Sequence, residues 1–406
     1  MTHSRSVRIE GEVAAGFEPV RRAFEENFTR RHELGGSCCV YLRGEKIVDL
    51  WGGVRDATTG EPWQERTMVL VHSATKGMAA MALALAHSRG WLEWDERVAA
   101  YWPEFAQAGK ERITVRQLLA HQAGLFALDV AVERALVADL DRLAAVLARQ
   151  RPAWEPGARQ GYHAVTLGFY EGELLRRLDP AHRSLGRLFE DEIATPLGLD
   201  FHIRLPASIP NERLARMSRP SMLERLRGFP IGFLFAAFDR RSNIRRALEG
   251  SELPLDEGAV YARELEVASG GGVGTARAMA RAYGVFASGG AELGLRPETL
   301  AALAAPGLAP SRGFHDECLG SDGVYFSLGF MKSCPDWRFG SAGSYGAPGF
   351  GGALGYADPA TGIGYGYVTN RAGTTLTGDP RDVALRAALD AIVPPAGAAR
   401  PPRAAA

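Results

Sequence analysis

The chain has 406 residues, 46% of them hydrophobic and 23% charged, with 47 basic and 47 acidic side chains and no formal net charge. This is an ordinary globular composition, long enough for a large core and two subdomains, and its zero net charge gives no support for a nucleic-acid or membrane-surface partner. No apolar run approaches the roughly 18 residues that a membrane helix needs, and the opening "MTHSRSVRIEGEV" lacks the apolar centre of a secretory signal.

A first helix is expected around Phe17 to Arg31, where Phe17, Val20, Phe24 and Phe28 recur at helical spacing. Two strands follow, "SCCVYLR" and "KIVDLWGG", joined by a hairpin turn at Gly44. A second helix runs from about Ser73 to Ser88, with Met78, Met81, Ala82 and Leu85 as its apolar face and Gly90 as its stop. The stretch from 95 to 255 reads as helices with proline-rich loops. Within it "GFPIGFLFAAF" (228–238) is too short to span a membrane and is read as core, ahead of an acyl-pocket wall or an interfacial lid. "DRRSNIRR" after it is read as a solvated face, ahead of a dock for anionic substrates.

Beyond residue 260, "SGGGVGTARAMARAYGVFASGG" is a glycine loop leading into a helix, and "YFSLGF", "GALGYA" and "GIGYGYVTN" alternate like strands. In the last of these, Gly362, Gly364 and Gly366 share one face, where another part of the chain must approach the backbone closely. "PRDVALRAALDAI" closes as a helix. The fold class expected is therefore α+β, with a sheet domain built from residues 1–94 and 256–393, a mainly helical insertion at 95–255, and a disordered tail at 394–406. Cys38, Cys39, Cys318 and Cys334 lack metal-ligand spacing and are read as reduced, which places the protein in the cytoplasm.

The chemistry begins at "SATK". Only four lysines occur, Lys46, Lys76, Lys110 and Lys332, so nearly every cation of this chain is an arginine. Lysine, unlike arginine, can lose its proton when its surroundings discourage the charge, so its retention at position 76 points to proton transfer. On a helix Ser73 and Lys76 share a face at i and i+3, with the hydroxyl at the positive end. Free lysine titrates near 10.4, and bringing it to neutrality at pH 7 takes about 4 kcal/mol, which burial can supply. A neighbour able to take its proton is what makes serine a nucleophile. There is no Gly-x-Ser-x-Gly elbow, no His-Glu-x-x-His, no phosphate loop and no dinucleotide fingerprint. His121 and His163 are read as packed structural histidines ahead of a triad base.

In "VDLWGGVRDATTGEPWQERTMVLVHSATKG", "TVRQLLAHQAGL", "PGARQGYHAVTLGFYEGELLRR", "SGGGVGTARAMARAYGVFASGG" and "PGFGGALGYADPATGIGYGYVTNR", the sequence resembles the serine β-lactamase-related hydrolases. The likeness is greatest to the family VIII carboxylesterases, relatives of class C β-lactamases and DD-peptidases, and runs in order from about residue 37 to 390. It implies the β-lactamase/penicillin-binding fold, an antiparallel sheet flanked by helices. It also implies Ser73 as nucleophile, Lys76 as its lysine and Tyr162 of "GYHA" as the tyrosine that shares proton transfer. "APGFGG" (347–352) stands where β-lactamases carry Lys-Thr-Gly, so the backbone N–H groups of Ser73 and Phe350 become the expected oxyanion hole. His163, Ala347, Pro348 and Gly349 become the expected substrate pocket. Whether Lys76 or Tyr162 is the base stays open, since the two form a coupled pair.

Two departures bear on substrate. Ala164 stands where the family has an asparagine, and Ala347 where a lysine or histidine could stand, so contacts for the amide and carboxylate of a β-lactam are missing. The expected activity is hydrolysis of small carboxylic esters through an acyl-serine, with no metal or cofactor and a small-molecule ester as the partner. β-Lactam or D-amino-acid amide hydrolysis, or acyl transfer, are alternatives on the same site. A non-catalytic binding or assembly protein is the alternative of another class.

Overall fold

Strands from the two ends of the chain meet in the middle of one sheet. In the computed structural model, which describes residues 7–397 apart from 230, 257, 376 and 377, the N-terminal contribution is β1 (Ile9–Val13), β2 (Gly35–Leu42) and β3 (Glu45–Gly53). β4 (Val69–Leu70), β5 (Phe201–His202) and β6 (Val273–Gly274) form a small antiparallel sheet in the order β4-β6-β5. β7 (Phe326–Ser327), β8 (Phe330–Lys332), β9 (Tyr345–Pro348), β10 (Leu354–Asp358) and β11 (Ile363–Thr369) complete the large sheet. Its order is β1-β3-β2-β11-β10-β9-β8-β7, every pair antiparallel. Of the tail expected at 394–406, residues 398–406 lie outside the described residues.

The period-two alternation of β11 decides how the layers stack. Ile363, Tyr365 and Tyr367 pack on one face with Val20 and Phe24 of the Glu18–Arg30 helix and Leu385 and Leu389 of the Pro380–Ile392 helix. On the opposite face the Ala276–Ala287 helix lies against β11, β2 and β10. Gly364 and Gly366 make that contact possible, because a Cβ would fall 2.1 Å from the Gly284 nitrogen and 2.3 Å from the Ala276 carbonyl oxygen. Gly362 belongs to the preceding turn instead, with φ at +79° beside Arg43. The expected glycine face is therefore two residues, not three.

The Thr75–Ser88 helix departs from the amphipathic reading. All fourteen of its residues are buried, including the positions outside the expected Met78–Leu85 stripe. Its small side chains explain this: "TKGMAAMALALAHS" lets neighbours approach from every side, and a helix without a polar face belongs inside. The Ile231–Phe238 helix departs in the opposite direction. Its sequence reads as core, yet none of its residues is buried. Among the described residues, no helix is long and apolar enough to cross a membrane.

Candidate active site

β4 leads straight into the site. Val71 N–H donates to the Gly272 carbonyl at 2.9 Å, and His72 then turns left-handed, with φ at +48°. Such a conformation costs a non-glycine residue about 1–3 kcal/mol and persists only where both flanks are held. The far flank is held by Thr75, whose hydroxyl donates to His72 O at 2.6 Å and accepts from Gly272 N at 2.8 Å. His72–Ala74 is a 3-10 turn and the α-helix proper starts at Thr75. Ser73 thus lies on the turn that opens the helix, half-buried, close to the positive end expected for it.

Lys76 is buried, and three segments of chain converge on its amine. Nζ lies 3.2 Å from Ser73 Oγ, 2.7 Å from Ala164 O and 2.8 Å from Ser269 O. Ala164 and Ser269 are brought together by a close approach: a Cβ on Gly168 would lie 2.3 Å from Ser269 N, and Ser269 Oγ donates to Val165 O at 2.6 Å. Burial pulls the Lys76 pKa down to about 7, and the Glu171 carboxyl opposes the change. The position where the family has asparagine therefore serves this site through its backbone carbonyl.

Tyr162 stands above the lysine, with Nζ 4.8 Å from its ring centroid. Burial raises the phenol well above its ordinary value, and interaction with the Ser73 side chain offsets only part of the rise. The ring stacks on Phe326 at 5.5 Å, and its backbone N–H donates to Asp316 Oδ1 at 3.1 Å. Asp316 is fully buried and also accepts from Gln160, Cys318 and Leu319, so it clamps the tyrosine loop to a segment more than 150 residues later. His121 lies beside the Tyr162 ring and accepts from the His163 backbone N–H through Nδ1 at 3.0 Å. Burial lowers the pKa of both histidines, that of His163 to about 3. His163 was expected to line the substrate pocket. It is instead 0% exposed, its Nε2 accepting from Leu125 N, because Tyr162 occupies the solvent side of this loop.

The end of β9 forms the other wall. Ala347 is buried against the Thr75–Ser88 helix, where a Cβ on Gly77 would come within 3.1 Å of its methyl. Gly349 touches the chain just ahead of the serine turn, since a Cβ there would fall 2.1 Å from Val71 O. Pro348 is half-buried between them, and Phe350 exposes 52% of its surface with its ring edge-on to His72 at 5.8 Å. The expected oxyanion and pocket residues of this strand therefore do gather beside Ser73. Arg219 is the nearby cation: its charge adds to burial in lowering the His72 pKa to about 4.

Glu171 escaped the sequence reading. It is 0% exposed on the Thr166–Leu178 helix, and among the described residues neither carboxylate oxygen has a hydrogen-bond partner. Burial raises its pKa to about 8, with Lys76 pulling the other way. Its spacing in "GFYEGELL" matches that of any solvated helical acid, so no local signal marks it. Nor is Lys76 singled out by being a buried lysine. Lys110 and Lys332 are as buried as Lys76, and burial lowers them to about 8 and about 7, yet each binds only backbone carbonyls. Three of the four lysines are thus buried amines, while Lys46 is exposed and pairs with Asp49, and the hydroxyl at Ser73 is what separates Lys76 from the other two.

An antiparallel sheet carrying a buried helix that opens on Ser-x-x-Lys is the β-lactamase/penicillin-binding fold. Comparison with known proteins narrows this further: the Beta-lactamase family model matches residues 20–390, and the chain belongs to that family. Esterase/beta-lactamase LipL of Mycobacterium tuberculosis is 31% identical over 369 residues, covering 90% of this chain and 83% of that protein. A crystal structure of a family VIII carboxylesterase superposes with a TM-score of 0.82 at 36% identity, covering 94% of this chain and 98% of the other. A penicillin-binding protein homologue from Caulobacter crescentus gives 0.81 at 34% identity, with 95% and 100% covered.

Proposed function

We propose that the protein is a serine hydrolase that cleaves small carboxylic esters through an acyl-serine intermediate, with Ser73, Lys76 and Tyr162 as its catalytic residues. One observation carries the reading. A neutral amine has two hydrogens and one lone pair, and around Lys76 Nζ stand two carbonyl oxygens and one hydroxyl. The carbonyls take the hydrogens, and the lone pair is left for the proton of Ser73. A pKa of about 7 keeps a large fraction of that base available near neutrality.

Ser73 Oγ attacks the ester carbonyl as its proton passes to Lys76. The oxyanion is received by the backbone N–H groups of Ser73 and Phe350. Tyr162, held protonated by burial, donates to the leaving alkoxide and is recharged from the Lys76 ammonium. Water then attacks the acyl-serine with the same groups reversed, releasing the acid and restoring the hydroxyl. Burial holds the Tyr162 phenol in its protonated form and lowers the Lys76 pKa to about 7, which favours lysine over tyrosinate as the base.

The names of the relatives, a family VIII carboxylesterase and an esterase/beta-lactamase, support ester cleavage and carry β-lactam hydrolysis as the second reading. Ala164 and Ala347 disfavour the latter, because neither offers a side-chain contact to an amide or carboxylate. Each missing charge-assisted contact forfeits about 1.5–3 kcal/mol. Four free, buried cysteines support residence in a reducing compartment such as the cytoplasm.

The test is kcat/KM for p-nitrophenyl butyrate beside nitrocefin and benzylpenicillin, with Ser73→Ala as control. The ester is expected to lead benzylpenicillin by about a hundredfold or more. Ser73→Ala is expected to lose about 10³-fold or more with unchanged melting. Benzylpenicillin within about tenfold of the ester would reverse the order of the two readings, and a slow ester found on any other serine would remove Ser73 from its role.

A further inference from the structure

Beside the site lies an apolar surface that the ester chemistry does not use. The Ile231–Phe238 helix, "IGFLFAAF", is apolar on every side, yet Ile231, Phe235 and Phe238 expose 69%, 73% and 81% of their surface. A helix apolar all round is ordinarily enclosed by protein or by lipid. Met222, Leu223 and Leu226 of the preceding Met222–Gly228 helix are exposed as well. The surface is continuous with the site: Phe233 packs on Phe229 at 5.5 Å, and Phe229 stacks on Phe350 at 6.5 Å.

Charge selects the occupant. Between residues 219 and 246 the sequence has seven arginines against two acids, in a chain with no net charge. Arg219, Arg240, Arg241 and Arg245 are exposed, and among the described residues no carboxylate lies within ion-pair reach of any of them. Glu224 is held by Arg371 and its own helix cap, and Asp239 accepts from the Arg241 backbone N–H. A second copy docked two-fold on this surface would bring the same arginines face to face. An anionic lipid surface satisfies both halves at once, the phenylalanines among the acyl chains and the guanidinium groups among the phosphates.

We propose that the 222–238 helices and the arginines around them dock on an anionic lipid–water interface and set the mouth of the site against it. Water-insoluble esters held in that interface then reach Ser73 along Phe233, Phe229 and Phe350. The delivery step rests on the esterase reading; the docking does not.

The experiment is cosedimentation of the full chain, as wild type and as Ser73→Ala, with vesicles of phosphatidylcholine alone or mixed equally with phosphatidylglycerol. Both proteins are expected to bind the anionic vesicles at least about tenfold more strongly than the neutral ones, with the preference shrinking in high salt. F235S/F238S is expected to lose vesicle binding at any salt, and R240E/R241E to lose the anionic preference by about tenfold. Both double variants keep wild-type hydrolysis of soluble p-nitrophenyl acetate and unchanged melting, since these four side chains stand in solvent. Equal recovery with both vesicle types would overturn the proposal. So would a wild-type dimer in sedimentation velocity that F235S/F238S turns into monomer. Vesicle binding by Ser73→Ala with no ester cleaved by the wild type would sink the esterase reading and leave the docking standing.

Discussion

Lys76 and Lys110 occupy two pockets of similar composition. Both amines are buried among helices, both are pulled down by burial, and both lie near an aromatic ring. Lys110 faces three carbonyl oxygens, those of Gln107, Ala148 and Gln150, at 2.7–2.9 Å. Three acceptors need three hydrogens, so that pocket holds an ammonium and uses it to tie the Gln107–Lys110 loop to the C-terminal end of the Leu140–Arg149 helix. Around Lys76 one of the three acceptors is replaced by a hydroxyl, which can donate. In the proposed mechanism, this single change of neighbour turns a structural cross-link into a proton acceptor. Burial sets how easily each amine loses its proton; the third neighbour decides whether the loss has any use.

Exchanging the lysines for a residue that cannot cycle its proton tests the contrast most strongly. Lys76→Arg is expected to lose about 10²–10⁴ in kcat although it keeps the charge, because a guanidinium has no lone pair to offer Ser73. Retention of more than about a tenth of wild-type kcat would reduce Lys76 to an electrostatic support. Tyr162→Phe should come next, with about a hundredfold loss and unchanged melting, since the ring remains on Phe326 and only the proton donor leaves. Near-normal turnover there would mean the leaving group takes its proton from elsewhere.

Lys110→Met should do the reverse. Ester hydrolysis stays within about twofold, while urea denaturation shows a loss of about 1–3 kcal/mol from carbonyls left without a donor. A large fall in kcat with stability intact would erase the distinction between the pockets.

The smallest effect concerns pH. Activity is expected to rise as pH increases through about 7, where Lys76 loses its proton. The ionised form of Glu171 favours the Lys76 ammonium, so Glu171→Gln should move that limb to lower pH by a few tenths of a pH unit. Stability should change with it. The folded pKa of Glu171 is raised from 4.5 to about 8, so its contribution is complete below 4.5 and is lost as pH rises through 8. Glu171→Gln removes that dependence, and its stability relative to wild type should therefore rise between pH 5 and 8. An unmoved rate limb together with an unchanged stability profile would show that Glu171 is not sensed by the site.

The sequence by itself determined what depends on near neighbours. Helical spacing puts Ser73 and Lys76 on one turn, alternation marks the strands, and five ordered blocks identify the family, because each of these signals is carried by residues close together in the chain. Tertiary structure alone decided the rest. The carbonyls that orient Lys76 come from residues 88 and 193 positions away, and Asp316 reaches Tyr162 across 154. Glu171, in a stretch that reads like any solvated helix, is buried without a partner, and "IGFLFAAF", in a stretch that reads like core, is left in solvent. Burial and the identity of a third neighbour are properties of what packs against a residue, and no window along the chain contains them.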